Sequence, residues 1–232
     1  MMLQVSKRLS YPFIIGLAMS VVCLIYIPQW RHYVPSAHQA IPITPYLTPW
    51  TVVSVTALSL ALALIAAPFR TRPPIQIILS KTLSILVVCF SAVFLLEYAC
   101  GIRVPDLDIF FLPDSSGQRV TLYAARPSPQ SATTSLLFAS SLLLFHPGLK
   151  WRKRAFHIAA LAALALPTFA CCGYILDLFF PPSPTAAPRI GLSLPAVVLY
   201  FTFGSGVLGL SLGSKVPNPA VTRPAKVSRR FV

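Results

Sequence analysis

Acidic residues are the scarcest class in this chain of 232 residues: there are five, against 19 Lys and Arg, and all charged residues together make up 10%. A soluble domain carries about 25% charged residues. A hydrophobic fraction of 56% and a mean hydropathy of +0.74 complete the contrast, so a soluble fold is excluded and a polytopic, all-α membrane protein is expected. Catalytic signatures are also missing. The sequence holds no phosphate-binding glycine loop, no local nucleophile–base motif and no Cys/His ligand spacing, which argues against an enzyme, a cofactor or a bound metal. The five cysteines, Cys23, Cys89, Cys100, Cys171 and Cys172, form no CxxC pair and lie in or at the ends of apolar runs. Buried cysteine behaves as a small hydrophobe, so packing is the reading for all five. A pairing of Cys100 with Cys171 or Cys172 is the alternative.

The net charge of +14 raises nucleic acid as a partner, and its distribution argues against it. Basic residues come in short clusters between apolar runs, as topology signals do. Lys7, Arg8, Arg70, Arg72, Lys81, Lys150, Arg152, Lys153, Arg154, Lys215, Arg223, Lys226, Arg229 and Arg230 fall on one side of an alternating set of spans. Arg31, Arg103, Arg119, Arg126 and Arg189 fall on the other, together with Glu97, Asp106, Asp108, Asp114 and Asp177. The richer side is cytoplasmic by the positive-inside rule, and both termini lie there.

A bilayer core about 30 Å thick needs about 20 helical residues. Six spans follow, at 11–28, 49–67, 75–100, 129–146, 155–180 and 194–213. The first, preceded by Lys7 and Arg8, lacks a small-x-small cleavage site and reads as an uncleaved anchor. Thr48-Pro49 and Ser128-Pro129 open the second and fourth with an N-cap hydroxyl and a proline that needs no amide partner. Gly101 closes the third with a left-handed cap. Pro147-Gly148 closes the fourth. Pro167 lies inside the fifth and predicts a kink there, one that presents Cys171-Cys172-Gly173 to neighbouring helices. Alanines 159, 160, 162, 163 and 165 on the fifth span, and Gly204, Ser205, Gly206, Gly209 and Gly213 on the sixth, allow close helix approach. Internal packing is the first reading of them and a homodimer face the alternative. Residues 1–213 thus form the membrane domain. Residues 214–232, basic and punctuated by Pro217, Pro219 and Pro224, read as a disordered tail against anionic headgroups.

Two further patterns stand out. Leu107-Asp108-Ile109-Phe110-Phe111 returns as Leu176-Asp177-Leu178-Phe179-Phe180, each copy after a helix end containing Gly, Tyr and Cys and before a proline that opens the next span. The last four spans therefore read as two parallel hairpins, and the first two as a third, more diverged one. The runs Tyr98-Ala99-Cys100-Gly101-Ile102 and Arg126-Pro127-Ser128-Pro129-Gln130-Ser131-Ala132 resemble the membrane-embedded N-terminal sensor module of bacterial histidine kinases and diguanylate cyclases. Gln130 and Ser131 stand where that family has Asn and Thr. The resemblance spans residues 75–212 and includes the doubled unit. It implies a signalling input module in a bacterial inner membrane, without a kinase or cyclase domain before the chain stops at Val232, and it brings no ligand or catalytic residue with it.

Glu97 and Asp177 lie near the outer ends of the third and fifth spans. At that depth they can be solvated helix-end residues. Alternatively they line an outward-facing pocket with Tyr98, Ser128, Gln130 and Tyr174, suited to a cationic or hydroxylated small ligand. In that reading Glu97 points into the bundle, because lipid offers a carboxylate no partner. His146 and His157 lie near the ends of the short basic loop between the fourth and fifth spans and read as interfacial, not as haem ligands. The expected function is a non-enzymatic membrane protein that binds a ligand at its outer face or senses the bilayer, and acts on a membrane or cytoplasmic partner. A small transporter or channel, or an accessory or assembly subunit of a membrane complex, are the alternatives.

Overall fold

The computed structural model describes residues 10–32, 47–67, 74–102, 126–146, 149–179 and 191–213, with side chains left aside at 26–32, 177–179 and 212–213, and all regular structure among them is α-helix. Six helices follow in order: α1 Tyr11–His32, α2 Pro49–Ala66, α3 Pro74–Cys100, α4 Pro129–Leu144, α5 Lys150–Phe179 and α6 Leu194–Gly213. Four contain stretches long and apolar enough to cross a membrane: Pro49–Ala66, Pro74–Cys100, Lys150–Leu176 and Leu194–Ser211.

The helix starts and stops follow the punctuation in the sequence. Ser128 caps α4 by accepting a hydrogen bond from the Ser131 amide at 3.1 Å, with Pro129 at the first helical position. Thr48 holds the corresponding place before Pro49 but turns its hydroxyl to Thr51 Oγ1, 2.8 Å away. Ser193 receives the Ala196 amide at 3.4 Å at the start of α6. Gly101 ends α3 with φ of 65°, a left-handed conformation that a side chain would strain. Two ends differ from expectation by more than two residues. α5 begins at Lys150, taking the basic cluster into its first turn, and α1 continues through Pro28 to His32.

Consecutive helices pack against one another, α6 returns to α1, and α2, α4 and α6 also touch mutually. The even-numbered helices are therefore an inner triad. Neighbours in the ring run antiparallel. Ser10, just before α1, donates to the Ala66 carbonyl at the end of α2 (2.8 Å), and Ser80, early in α3, donates to the Ala61 carbonyl late in α2 (3.0 Å). Tyr11 and Ser205 share a hydrogen bond of 2.8 Å between the start of α1 and the second half of α6. All three even helices begin at one end of the bundle.

Small residues set the separations. A Cβ on Gly16 would lie 2.7 Å from both the Ala63 amide nitrogen and the Ser59 carbonyl oxygen, so α1 and α2 meet backbone to backbone. Gly204 admits Leu164 and Phe138, and Gly206 admits Ile15 and Leu62. On α5, Phe156, Ala160, Ala163 and Pro167 form one buried stripe at helical spacing, and the helix runs on through Pro167. Ala162 is exposed. At the far end of α5 the expected packing role fails in part: Cys171 packs on the core, but Cys172 is exposed and nothing lies within 4 Å of a Cβ added to Gly173. The stripe passes through position 171, which leaves 172 and 173 turned away from it. At the centre, Phe138 stacks on Tyr200 at 6.2 Å between centroids and meets the Phe203 ring edge-on at 5.0 Å.

Candidate functional site

The polar side chains gather at the end where α2, α4 and α6 begin. Glu97, one turn before the Gly101 cap, is 2% exposed and faces inward. Its partner is Arg126, two residues before the Ser128 cap, which is itself fully buried and ion-paired with the Glu97 carboxylate. The guanidinium also lies over the Phe94 ring, 5.7 Å from its centroid, and Phe94 packs on Trp50 of α2 at 5.4 Å. Burial pulls the Arg126 guanidinium below its ordinary value, yet arginine starts so high that it stays cationic at neutral pH. Tyr98 donates to the Pro127 carbonyl at 2.9 Å, a second tie between the same two stretches.

A hydroxyl network runs inward from this end. Thr48 Oγ1 meets Thr51 Oγ1 (2.8 Å), Thr51 Oγ1 meets Ser131 Oγ (3.1 Å), and Ser131 Oγ meets the Tyr200 hydroxyl (2.7 Å). Tyr200 also contacts Ser135 Oγ at 2.8 Å and the Ser131 carbonyl at 3.1 Å. A fully buried tyrosine hydroxyl is thus held by α4 from α6, and α4 in turn by α2. Such bonds matter more here than apolar contact, because lipid is as good a solvent for Leu as the bundle interior is.

Of the six residues expected to line a pocket, the structure brings Glu97, Tyr98 and Ser128 to the α3–α4 end. Gln130 turns toward Gly191, where an added Cβ would lie 3.3 Å from its Oε1, and that oxygen is buried without a hydrogen-bond partner. Tyr174 is engaged elsewhere, donating to the Leu192 carbonyl at 2.6 Å and so joining α5 to the start of α6. Asp177 lies in the last turns of α5 and its side chain falls outside the described residues. So do Asp106, Asp108, Asp114, the first copy of the repeat at 107–111 and the tail at 214–232, while the second copy is helical over 176–179. Among the described residues Glu97 faces an arginine. Sequence reasoning had Arg126 as an outer basic residue and as the first residue of the run that opens α4, and missed the pairing. A buried glutamate in an apolar chain calls for a cation, but nothing in the sequence singles out Arg126 among the outer arginines.

At the opposite end His146 is exposed, and His157 Nδ1 lies 2.6 Å from the Lys153 carbonyl oxygen, so that nitrogen carries the proton. Among the described residues no three His, Cys, Asp or Glu side chains converge as metal ligands. All five cysteines are free thiols, with Cys23 buried and Cys89, Cys100 and Cys172 exposed.

Fold and polar site together define a class: an all-α membrane protein with an ion pair and a hydroxyl network buried at one end. Comparison of the chain with protein-family models, curated proteins and solved structures finds no match.

Proposed function

We propose that this chain is a six-span membrane protein of three hairpins that works as a signalling input module. It has both termini in the cytoplasm of a bacterial inner-membrane setting, performs no catalysis itself, and passes a change at its outer end to a membrane or cytoplasmic partner. The one observation that carries this reading is the buried Glu97–Arg126 pair. An ion pair taken out of water is a poor adhesive, since matched apolar residues hold helices as well or better. It is better suited to fixing one arrangement of α3 against α4, which a ligand or a change in the bilayer can then exchange for another. Tyr98, Phe94 and Trp50 around the pair supply aromatic faces that suit a cationic or hydroxylated solute competing for Glu97. The resemblance of the 98–102 and 126–132 runs to bacterial sensor modules supports the same reading.

The test uses the full chain in lipid nanodiscs. Small organic cations and polyols are screened by the thermal unfolding midpoint, with Glu97→Gln as the control and flux of each hit measured in proteoliposomes. A solute that raises the wild-type midpoint, leaves the variant unmoved and does not cross the bilayer supports an input site. Flux of that solute replaces the reading with transport. No response across the screen removes the ligand.

A further inference from the structure

The start of α5 is built against the grain of helix electrostatics. The positive end of a helix dipole favours acidic side chains, and α5 has none in its first turn. It has Lys150, Arg152, Lys153 and Arg154 there instead, within five residues. No acid among the described residues lies at this end, because Glu97 and Asp177 both belong to the opposite one. The cations are displayed outward: Lys150, Lys153 and Arg154 are exposed. Arg152 is anchored, with Nη2 donating to the Leu143 carbonyl in the last turn of α4 at 3.4 Å and its guanidinium lying 5.7 Å from the Trp151 ring centroid. Trp151 itself is 62% exposed and Leu149 beside it 43%.

We infer that this α4–α5 corner is a docking surface for the headgroups of anionic phospholipids. The uncompensated cations and the first-turn amides call for an anion. The exposed Trp151 and Leu149 select the source. An indole beside a charged cluster suits the boundary between headgroup and acyl chain, where its ring sits in the apolar layer and its N–H in the polar one. A freely dissolved phosphate makes no use of either apolar side chain. The corner thus recruits acidic lipid from the bilayer, and the bound phosphate supplies the negative charge that the start of α5 lacks. Arg152, fixed between the two helices, couples lipid occupancy to the α4–α5 packing made by Phe145 and Phe156, whose ring centroids are 5.4 Å apart.

The experiment measures quenching of tryptophan fluorescence in the full chain, reconstituted in phosphatidylcholine bilayers with a fixed fraction of phosphatidylglycerol. Bromines are placed on the acyl chains of one lipid or the other, and Trp151→Phe assigns the signal. The expected result is enrichment of phosphatidylglycerol at Trp151 by about fivefold or more over its bulk fraction, given the attraction each surface cation adds. That preference should fall to near unity in Lys150→Gln/Arg152→Gln/Lys153→Gln/Arg154→Gln. Because the fourfold variant can insert wrongly, wild type at about 1 M sodium chloride, where the screening length is about 3 Å, gives an independent reading and should lose most of the preference. Equal quenching by the two lipids in wild type, or a preference that survives both treatments, overturns the inference. So does loss of the preference to a few millimolar inorganic phosphate at constant ionic strength, which would make this a site for free phosphate.

Discussion

Replacing Glu97 by Gln isolates the most consequential contact in the molecule. The substitution keeps the shape of the side chain and removes its charge, so the buried Arg126 guanidinium loses its ion pair with this carboxylate. Breaking a buried pair by neutralising one partner costs about 3–5 kcal/mol. The Phe94 ring lies beneath the guanidinium in wild type and variant alike and cancels from the difference, while the glutamine amide oxygen can still accept from the guanidinium, so the lower part of the range, about 3 kcal/mol, is expected. Arg126→Met should cost a similar amount, since it removes the same ion pair from the other side. The double variant Glu97→Gln/Arg126→Met removes both charges and should lie within about 1 kcal/mol of wild type, which makes the coupling energy about 5 kcal/mol. Equilibrium unfolding of the full chain in mixed micelles of fixed composition reads these values. Trp50 packs on Phe94 and Phe90, so its emission reports this corner of the bundle. If each single variant stays within about 0.5 kcal/mol of wild type, or if the two costs simply add, then the pair neither holds α3 to α4 nor can act as the element that switches them.

Tyr200→Phe removes a hydroxyl that contacts Ser131 and Ser135 and should destabilise by about 1–3 kcal/mol in the same assay; no loss would mean the network is not organising the inner triad. Gly16→Ala places a methyl 2.7 Å from the α2 backbone and should cost about 1–3 kcal/mol, whereas Gly173→Ala meets open space and should be neutral or stabilising by about 0.5–1 kcal/mol. Similar midpoints for the two would contradict the assigned packing. Reporter fusions at Lys153 and after Arg230 should report cytoplasm, and fusions near Ser116 the outer compartment; an outer Lys153 would sink the six-span topology.

Helix limits were legible because backbone chemistry writes them into the sequence. Proline after a hydroxyl residue marks the starts at Pro49 and Pro129, and glycine marks the end at Gly101. Which face of each helix turns inward was not legible. Lipid and bundle interior are both apolar, so the usual hydrophobic stripe is weak, and only small residues hint at the contact side. That hint succeeded for Gly204 and Gly206, which receive neighbouring side chains, and failed for Gly173, which receives none. Glu97 was readable as inward-facing from its charge alone. Its pairing with Arg126 was not, because 28 intervening residues separate the two in the chain and only the antiparallel packing of α3 and α4 closes that gap. The Thr51–Ser131–Tyr200 chain was hidden for the same reason, each hydroxyl being an ordinary helical residue until three helices bring them together.

The distribution of these bonds bears on how the bundle can move. Helices in lipid gain little from apolar contact alone, so stiffness follows hydrogen bonds, ion pairs and close backbone approach. At the end where the even helices begin, α2, α4 and α6 are joined by hydroxyls, α3 to the lead-in of α4 by the ion pair, and α5 to the lead-in of α6 by Tyr174. At the other end the described ties are mostly single bonds between neighbouring helices: Ser10 to the Ala66 carbonyl, Ser80 to the Ala61 carbonyl, Tyr11 to Ser205, Arg152 to the Leu143 carbonyl, and aromatic contact between Phe145 and Phe156. Loosening one bond at the polar end changes constraints on several helices at once, because Ser131 and Tyr200 each take part in more than one. Arg126 leads into α4, and Ser131 in the first turn of that helix carries the bond to Tyr200 of α6, so the ion pair and the hydroxyl network are close along the chain. At its far end the same helix meets Arg152, so displacement of α4 changes how the basic corner is presented. One helix therefore runs from the residues that follow the buried ion pair to the carbonyl that Arg152 holds at the cationic corner.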